Sequence, residues 1–136
     1  MSRRIRSREV LVQMFYQMTM LGDFSEDVKE QFLEERTEGE PNLDEAYMTK
    51  VLNLFREHQT EIDGLIGAGS KNWKFTRISK IDLAILRVAV TEVLFLRRDI
   101  PQAASINAAV ELAKVYGGEK SPKFVNGILG WVVNGR

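Results

Sequence analysis

Four arginines stand among the first eight residues, Arg3, Arg4, Arg6 and Arg8, with no acidic residue before Glu9. Arg4 and Arg8 are four positions apart and share one face of a helix, with Arg3 and Arg6 flanking it. Clustered guanidinium groups grip phosphates with two hydrogen bonds at once and stack on bases, so the pattern points to nucleic acid. The competing reading is a solvated helix start. Positive charge at a helix N-terminus opposes the helix dipole, which makes the cluster odd as decoration.

No other group of residues assembles into catalytic chemistry. His58 is the single histidine, while a zinc site needs three or four ligands and a serine–histidine triad needs a positioned base. Its expected place is a helix end, favoured by the dipole. Gly117-Gly118-Glu119-Lys120-Ser121 resembles a phosphate-binding loop only superficially, because Glu119 stands where glycine is required and no strand precedes it. Gly64 to Gly69 fails the dinucleotide fingerprint for the same lack of a strand. Glu34-Glu35 reads as part of a solvated acidic face. An enzyme is therefore not expected, nor a metal site or cofactor.

Composition sets the frame. Nineteen basic residues balance nineteen acidic ones, so net charge predicts no partner, whereas its distribution does. The arginines open the chain and Glu26 to Glu45 is strongly acidic, which gives a basic patch rather than a basic protein. The absence of cysteine excludes a disulfide scaffold and fits the cytoplasm. The N-terminus lacks the apolar stretch of a signal peptide. The 136 residues suit one domain, 1–136, with a sizeable core.

The elements that must position the arginines are helical throughout. Ile78 to Leu96 is apolar on nearly every side of a helical wheel, so it must be buried on nearly every side. Lys80, Asp82, Arg87 and Glu92 interrupt it, which rules out a membrane span. Lys80, Arg87 and Thr91 share its one polar edge. Thr76 and Ser79 are the candidate N-caps, Ser79 with Asp82 fitting a capping box, and Asp82 reads either as part of that cap or as a docking point for another molecule. A first helix runs from Ser2 or Arg4 to Leu21, with Val10, Leu11, Met14, Phe15, Met18 and Leu21 inward. Ser25 caps a second helix, and a polar loop from Thr37 to Leu43 contains Gly39 and Pro41. Asp44 caps a third, and Thr60 a short fourth ending at Gly67 and Gly69. A linker from Ser70 to Phe75 leads into the central helix. A sixth runs from Ala103 to Tyr116, closed by Gly117, and Ser121-Pro122 opens a seventh as N-cap and first-turn proline. The expectation is an all-α fold of about seven helices in small packed bundles.

Two long runs carry a family resemblance. One is Ile100-Pro101 through Asn107-Ala-Ala-Val110-Glu111-Leu112-Ala113-Lys114 to Tyr116-Gly117, and the other is Lys123-Phe124-Val125-Asn126-Gly127-Ile128-Leu129. With the arginine helix and its Gln13-Met-Phe-Tyr16-Gln17, the chain closely resembles the NusB family of bacterial transcription antitermination factors. The likeness is strongest from Ile81 to Leu129 and weakest from Gly22 to Trp73. It implies two three-helix bundles packed across each other. It implies binding to single-stranded boxA RNA of ribosomal RNA leader transcripts, and a heterodimer with NusE, the tenth small-subunit ribosomal protein. That pair joins the RNA polymerase elongation complex with other Nus factors; relatives also occur as homodimers.

By the same resemblance, Arg3, Arg4, Arg6, Arg8 and Tyr16 belong to the RNA-binding motif of the first helix. Ile5 stands where a further basic residue is expected. Lys120, Lys123 and Phe124 match the RNA-facing turn near the C-terminus. Asp82 and Glu92 fall on the side of the central helix expected to meet the protein partner. Read without the family, Phe124 and Tyr16 are equally core aromatics. Two other uses of such a fold stay open: an RNA-docking module of an rRNA methyltransferase, and an adaptor that binds only protein.

Overall fold

The computed structural model describes residues 3–36, 40, 42–71 and 74–135. Its centre is the long apolar run of the sequence. Helix α4 (Lys80–Phe95) buries every residue from Asp82 to Val93. Ser79 caps it, its hydroxyl accepting from the Asp82 amide at 3.2 Å. Of the expected polar edge only Lys80 is exposed. Arg87 is buried, with two nitrogens on the Asp63 carboxylate at 2.9 Å each and a third on the Thr19 hydroxyl at 3.1 Å. The rings of Phe24, Phe55 and Phe75 face its guanidinium at 5.3 to 5.9 Å. Thr91 donates to the Arg87 carbonyl. Partners from other helices thus neutralise what the wheel alone assigns to solvent.

Six α-helices surround and include this axle among the described residues, and no strand is present there. Helices α1 (Arg3–Leu21), α2 (Glu26–Arg36) and α3 (Glu45–Gly69) form one bundle. Helices α5 (Gln102–Tyr116) and α6 (Ser121–Gly130) form the second with α4, which also packs against α1 and α3. A single-turn 3-10 segment, Phe75–Arg77, precedes α4, and a π-turn, Trp131–Gly135, follows α6. All six helices contribute to one buried cluster, with Leu11, Phe15, Phe55, Leu86 and Leu129 among its largest side chains.

Several local expectations shift. Leu21, expected inward, is exposed at the end of α1, and Thr76 lies within the 3-10 turn rather than at the cap of α4. The third and fourth helices are one, α3, bent at His58, whose φ of −119° and ψ of 21° leave the helical region. Thr60 lies two residues past that kink rather than at a cap, and His58 marks the junction of the two helical stretches, stacked on Phe95 with ring centres 4.1 Å apart. At the last helix Ser121 lies inside the first turn rather than at the cap, because its hydroxyl is used elsewhere. Thr37, Gly39 and Pro41 of the polar loop, Asn72 and Trp73 of the linker, and Ser2 at the chain start lie outside the described residues. Asp44 does cap α3, accepting from the Tyr47 amide at 3.1 Å.

Candidate nucleic-acid interface

The first two turns of α1 carry the arginines, and each is already engaged. Arg3 is exposed and donates to the carbonyls of Asn42 (3.2 Å) and Leu43 (3.4 Å). Arg4, half-buried, lies 3.6 Å from the Asp44 carboxylate and over the Tyr47 ring at 4.3 Å. Arg6 donates to Glu9 at 2.7 Å and to both oxygens of Glu40, the Nε bond being 3.0 Å. That hydrogen bond, with Arg6's charge, holds the Glu40 carboxyl below the usual carboxylate range. Glu40, Asn42, Leu43 and Asp44 thus lie against the basic helix start, with Glu40 and Asp44 as an internal counter-charge.

Arg8 departs from the expected surface patch, and Glu92 from the expected partner surface. Arg8 is 6% exposed and Glu92 fully enclosed. They form a two-pronged pair at 2.8 and 3.0 Å. The Tyr47 hydroxyl donates to the same carboxylate, and Ser105 Oγ donates to it at 2.7 Å. Burial, then Glu92's charge, push the Tyr47 hydroxyl well above its usual range. Burial works against the charge on Arg8, and Glu92 more than offsets it. One carboxylate therefore joins α1, α3, α4 and α5. Removing one member of such a buried pair costs about 3–5 kcal/mol, so these two residues hold the fold.

A second set of hydrogen bonds brings the arginine helix to the α5–α6 turn. Gln13 Nε2 donates to the Tyr116 hydroxyl at 2.8 Å, and that hydroxyl donates to Glu9 at 2.6 Å. Tyr116's hydrogen bond, aided by Arg6, lowers the Glu9 carboxyl from its ordinary range. Tyr16, one turn beyond Gln13, is exposed. Immediately after Tyr116 the chain turns through Gly117, where an added Cβ would lie 2.4 Å from Ser121 Oγ. That close approach places Lys120 and Lys123 in solvent at the start of α6, and Phe124 half-buried against the core. The sequence shows Tyr116 within a motif but gives it no role of its own; its partners are more than a hundred positions away.

Asp82 is brought to the turn that bears Lys120, Ser121 and Phe124. It is 7% exposed, and its Oδ2 accepts from Ser121 Oγ at 3.0 Å, while Ser121 Oγ accepts from the Gly118 amide at 2.9 Å. Asp82 Oδ1 has no hydrogen-bond partner among the described residues. A buried acceptor left so costs about 1–3 kcal/mol, an outlay usually met at a functional position. Asp82, Arg77, Lys120, Ser121 and Phe124 line a groove of about 260 Å³ between α4 and α6.

A larger groove of about 640 Å³ lies between the start of α1 and α5, lined by Ile5, Ile100, Pro101, Ala104, Leu112 and Val115 among others. No group of three or more histidine, aspartate or glutamate side chains is placed to hold a metal ion among the described residues. No described helix is long and apolar enough to cross a membrane.

Comparison with known proteins is consistent along the whole chain. The model of the NusB family matches residues 5–134. The chain is similar to the transcription antitermination protein NusB of Acetivibrio thermocellus, 47% identical over 130 residues, covering 96% of this chain and 88% of that protein. The NusB protein of Clostridium novyi is 38% identical over 130 residues, with 96% of each chain covered. Among solved structures, T. maritima NusB matches with a TM-score of 0.76 at 36% identity, covering 97% of this chain and 90% of that one. A chain from a crystal structure of antitermination factors NusB and NusE in complex with dsRNA matches with a TM-score of 0.83 at 26% identity, covering 100% and 99%.

Proposed function

The chain belongs to the NusB family, and from that premise we propose that it is a transcription antitermination factor that binds single-stranded boxA RNA of rRNA leader transcripts. It does so as a heterodimer with NusE, the tenth small-subunit ribosomal protein, and the pair joins the RNA polymerase elongation complex with other Nus factors in the cytoplasm. It acts by binding and catalyses no reaction. The observation that carries this reading is the join made by Tyr116. Its hydrogen bonds to Glu9 and Gln13 hold the arginine turns of α1 next to the turn bearing Lys120, Lys123 and Phe124. A basic track beside unstacked aromatics is what a single strand requires, the cations for its backbone and the rings for its bases.

The proposed RNA-binding residues are Arg3, Arg4, Arg6, Tyr16, Lys120, Lys123 and Phe124. Arg8 and Glu92 support them from inside. A match to a structure containing NusE and dsRNA supports both an RNA and a protein partner. The apolar groove beside Arg4 supports a homodimer as a further assembly.

Fluorescence titration of a boxA RNA and a scrambled RNA, with and without the ribosomal protein, at two salt concentrations, tests this. Binding tightens with the partner and weakens with salt. The Arg4→Ala/Arg6→Ala double variant flattens the log–log salt slope by about 0.7 for every phosphate that the variant no longer neutralises. Equal binding of boxA and scrambled RNA in every mixture overturns the reading. One observation favours a second reading, a protein-only adaptor: each arginine of α1 already has an internal partner. Capture of the ribosomal protein without RNA binding would select it.

A further inference from the structure

The groove between α4 and α6 combines three features that no single element supplies. Lys120 and Arg77 are exposed cations on its lining. Phe124 is a half-buried ring beside them. Asp82 lines the groove as well, and its Oδ1, enclosed in the wall, meets no donor among the described residues. A phosphate is excluded from that oxygen by like charge. The groove, at about 260 Å³, is smaller than the ~300–1,000 Å³ of pockets for drug-sized ligands, so it suits one flat group.

The geometry points to a pocket for a single unstacked nucleobase that presents an amino group, with Asp82 as the residue that reads it. Phe124 stacks on the base, Lys120 and Arg77 hold the flanking backbone, and Asp82 Oδ1 accepts from the exocyclic amine. A carboxylate accepts from the exocyclic amino group of a base, whereas uracil has no amino group and places a carbonyl oxygen there, which the carboxylate repels. Ser121 holds the other carboxylate oxygen, and Ser79 fixes the Asp82 backbone, so the acceptor keeps one direction. Asp82 is thereby a specificity-determining residue within the RNA site. This inference rests on the RNA-binding reading above.

The test uses the full chain with a boxA-like single-stranded RNA in which each position in turn carries uracil, an amino-bearing base or no base. Wild-type protein shows one position where removing the base or placing uracil there lowers affinity about ten-fold. Asp82→Asn presents an amide that donates where the carboxylate accepts, so the preference at that one position moves toward uracil. Lys120→Ala reduces the salt slope by about 0.7 and leaves the base preference unchanged. Absence of such a position in the wild-type scan overturns the pocket and needs no variant. A loss in Asp82→Asn spread evenly over all RNAs, or confined to binding of the ribosomal protein, overturns it too. If wild-type protein binds no RNA of any sequence, the functional reading itself falls, a result distinct from binding without positional preference.

Discussion

Arg6 reaches two carboxylates at once, and only Glu9 belongs to its own helix. Glu40 comes from the acidic stretch between α2 and α3, so RNA must displace it to use that guanidinium. Glu40→Gln keeps the shape and removes the charge. Its expected effect is a few-fold gain in RNA affinity, since exposed ion pairs are weak, seen in the same titration as a lower Kd. An unchanged Kd would show that phosphate and Glu40 do not compete. At this scale the sequence was legible for charge and misleading for exposure. Arg3, Arg4 and Arg6 lie where the cluster suggests. Arg8 looks identical in sequence, yet it is buried because its partner lies on another helix.

Helix α4 was the most legible element, because an apolar surface on every side admits only one placement. The bent α3 was the least. Thr60 is a plausible local cap, but the backbone breaks two residues earlier, at His58, where the ring stacks on Phe95 of α4. Helix α4 also carries the test of what Arg8 and Glu92 do. Glu92→Ala leaves a guanidinium buried without its acid and should cost about 3–5 kcal/mol in denaturant unfolding. The Arg8→Met/Glu92→Met pair should recover part of that loss, leaving only the Tyr47 and Ser105 hydroxyls without their acceptor. RNA affinity of the refolded double variant should match wild type. A loss as large as that of Arg4→Ala/Arg6→Ala would put Arg8 among the RNA-binding residues after all.

Across the whole molecule, the helices share one core, and two carboxylates with depressed proton affinity tie its surface: Glu9 joins α1 to α5 across the bundles, and Glu40 joins the α2–α3 connection to α1 within one. Glu9 is lowered by Tyr116 and Arg6, and Glu40 by Arg6. Their contribution is complete above an unfolded value of about 4.3 and is lost as pH falls through the lower folded values. Acid unfolding followed by circular dichroism should therefore be shallower below about pH 4.3 for Glu9→Gln than for wild type, and identical curves would remove Glu9 from the tie. The all-α architecture was readable from periodicity and caps. The joining of α1 to the α5–α6 turn was not, since Tyr116 carries no local mark of it.

The pairing of Arg8 with a carboxylate 84 positions later has a consequence for how the protein is made. Synthesis runs from the N-terminus, so α1 emerges long before Glu92 exists. Throughout that interval Arg8 lacks its buried acid and stays exposed, while the nascent chain is still attached to a machine built largely of RNA. Arrival of α4 withdraws Arg8 and gives α1 a wall to pack on, so completion of the central helix, rather than of the basic one, ends that exposure.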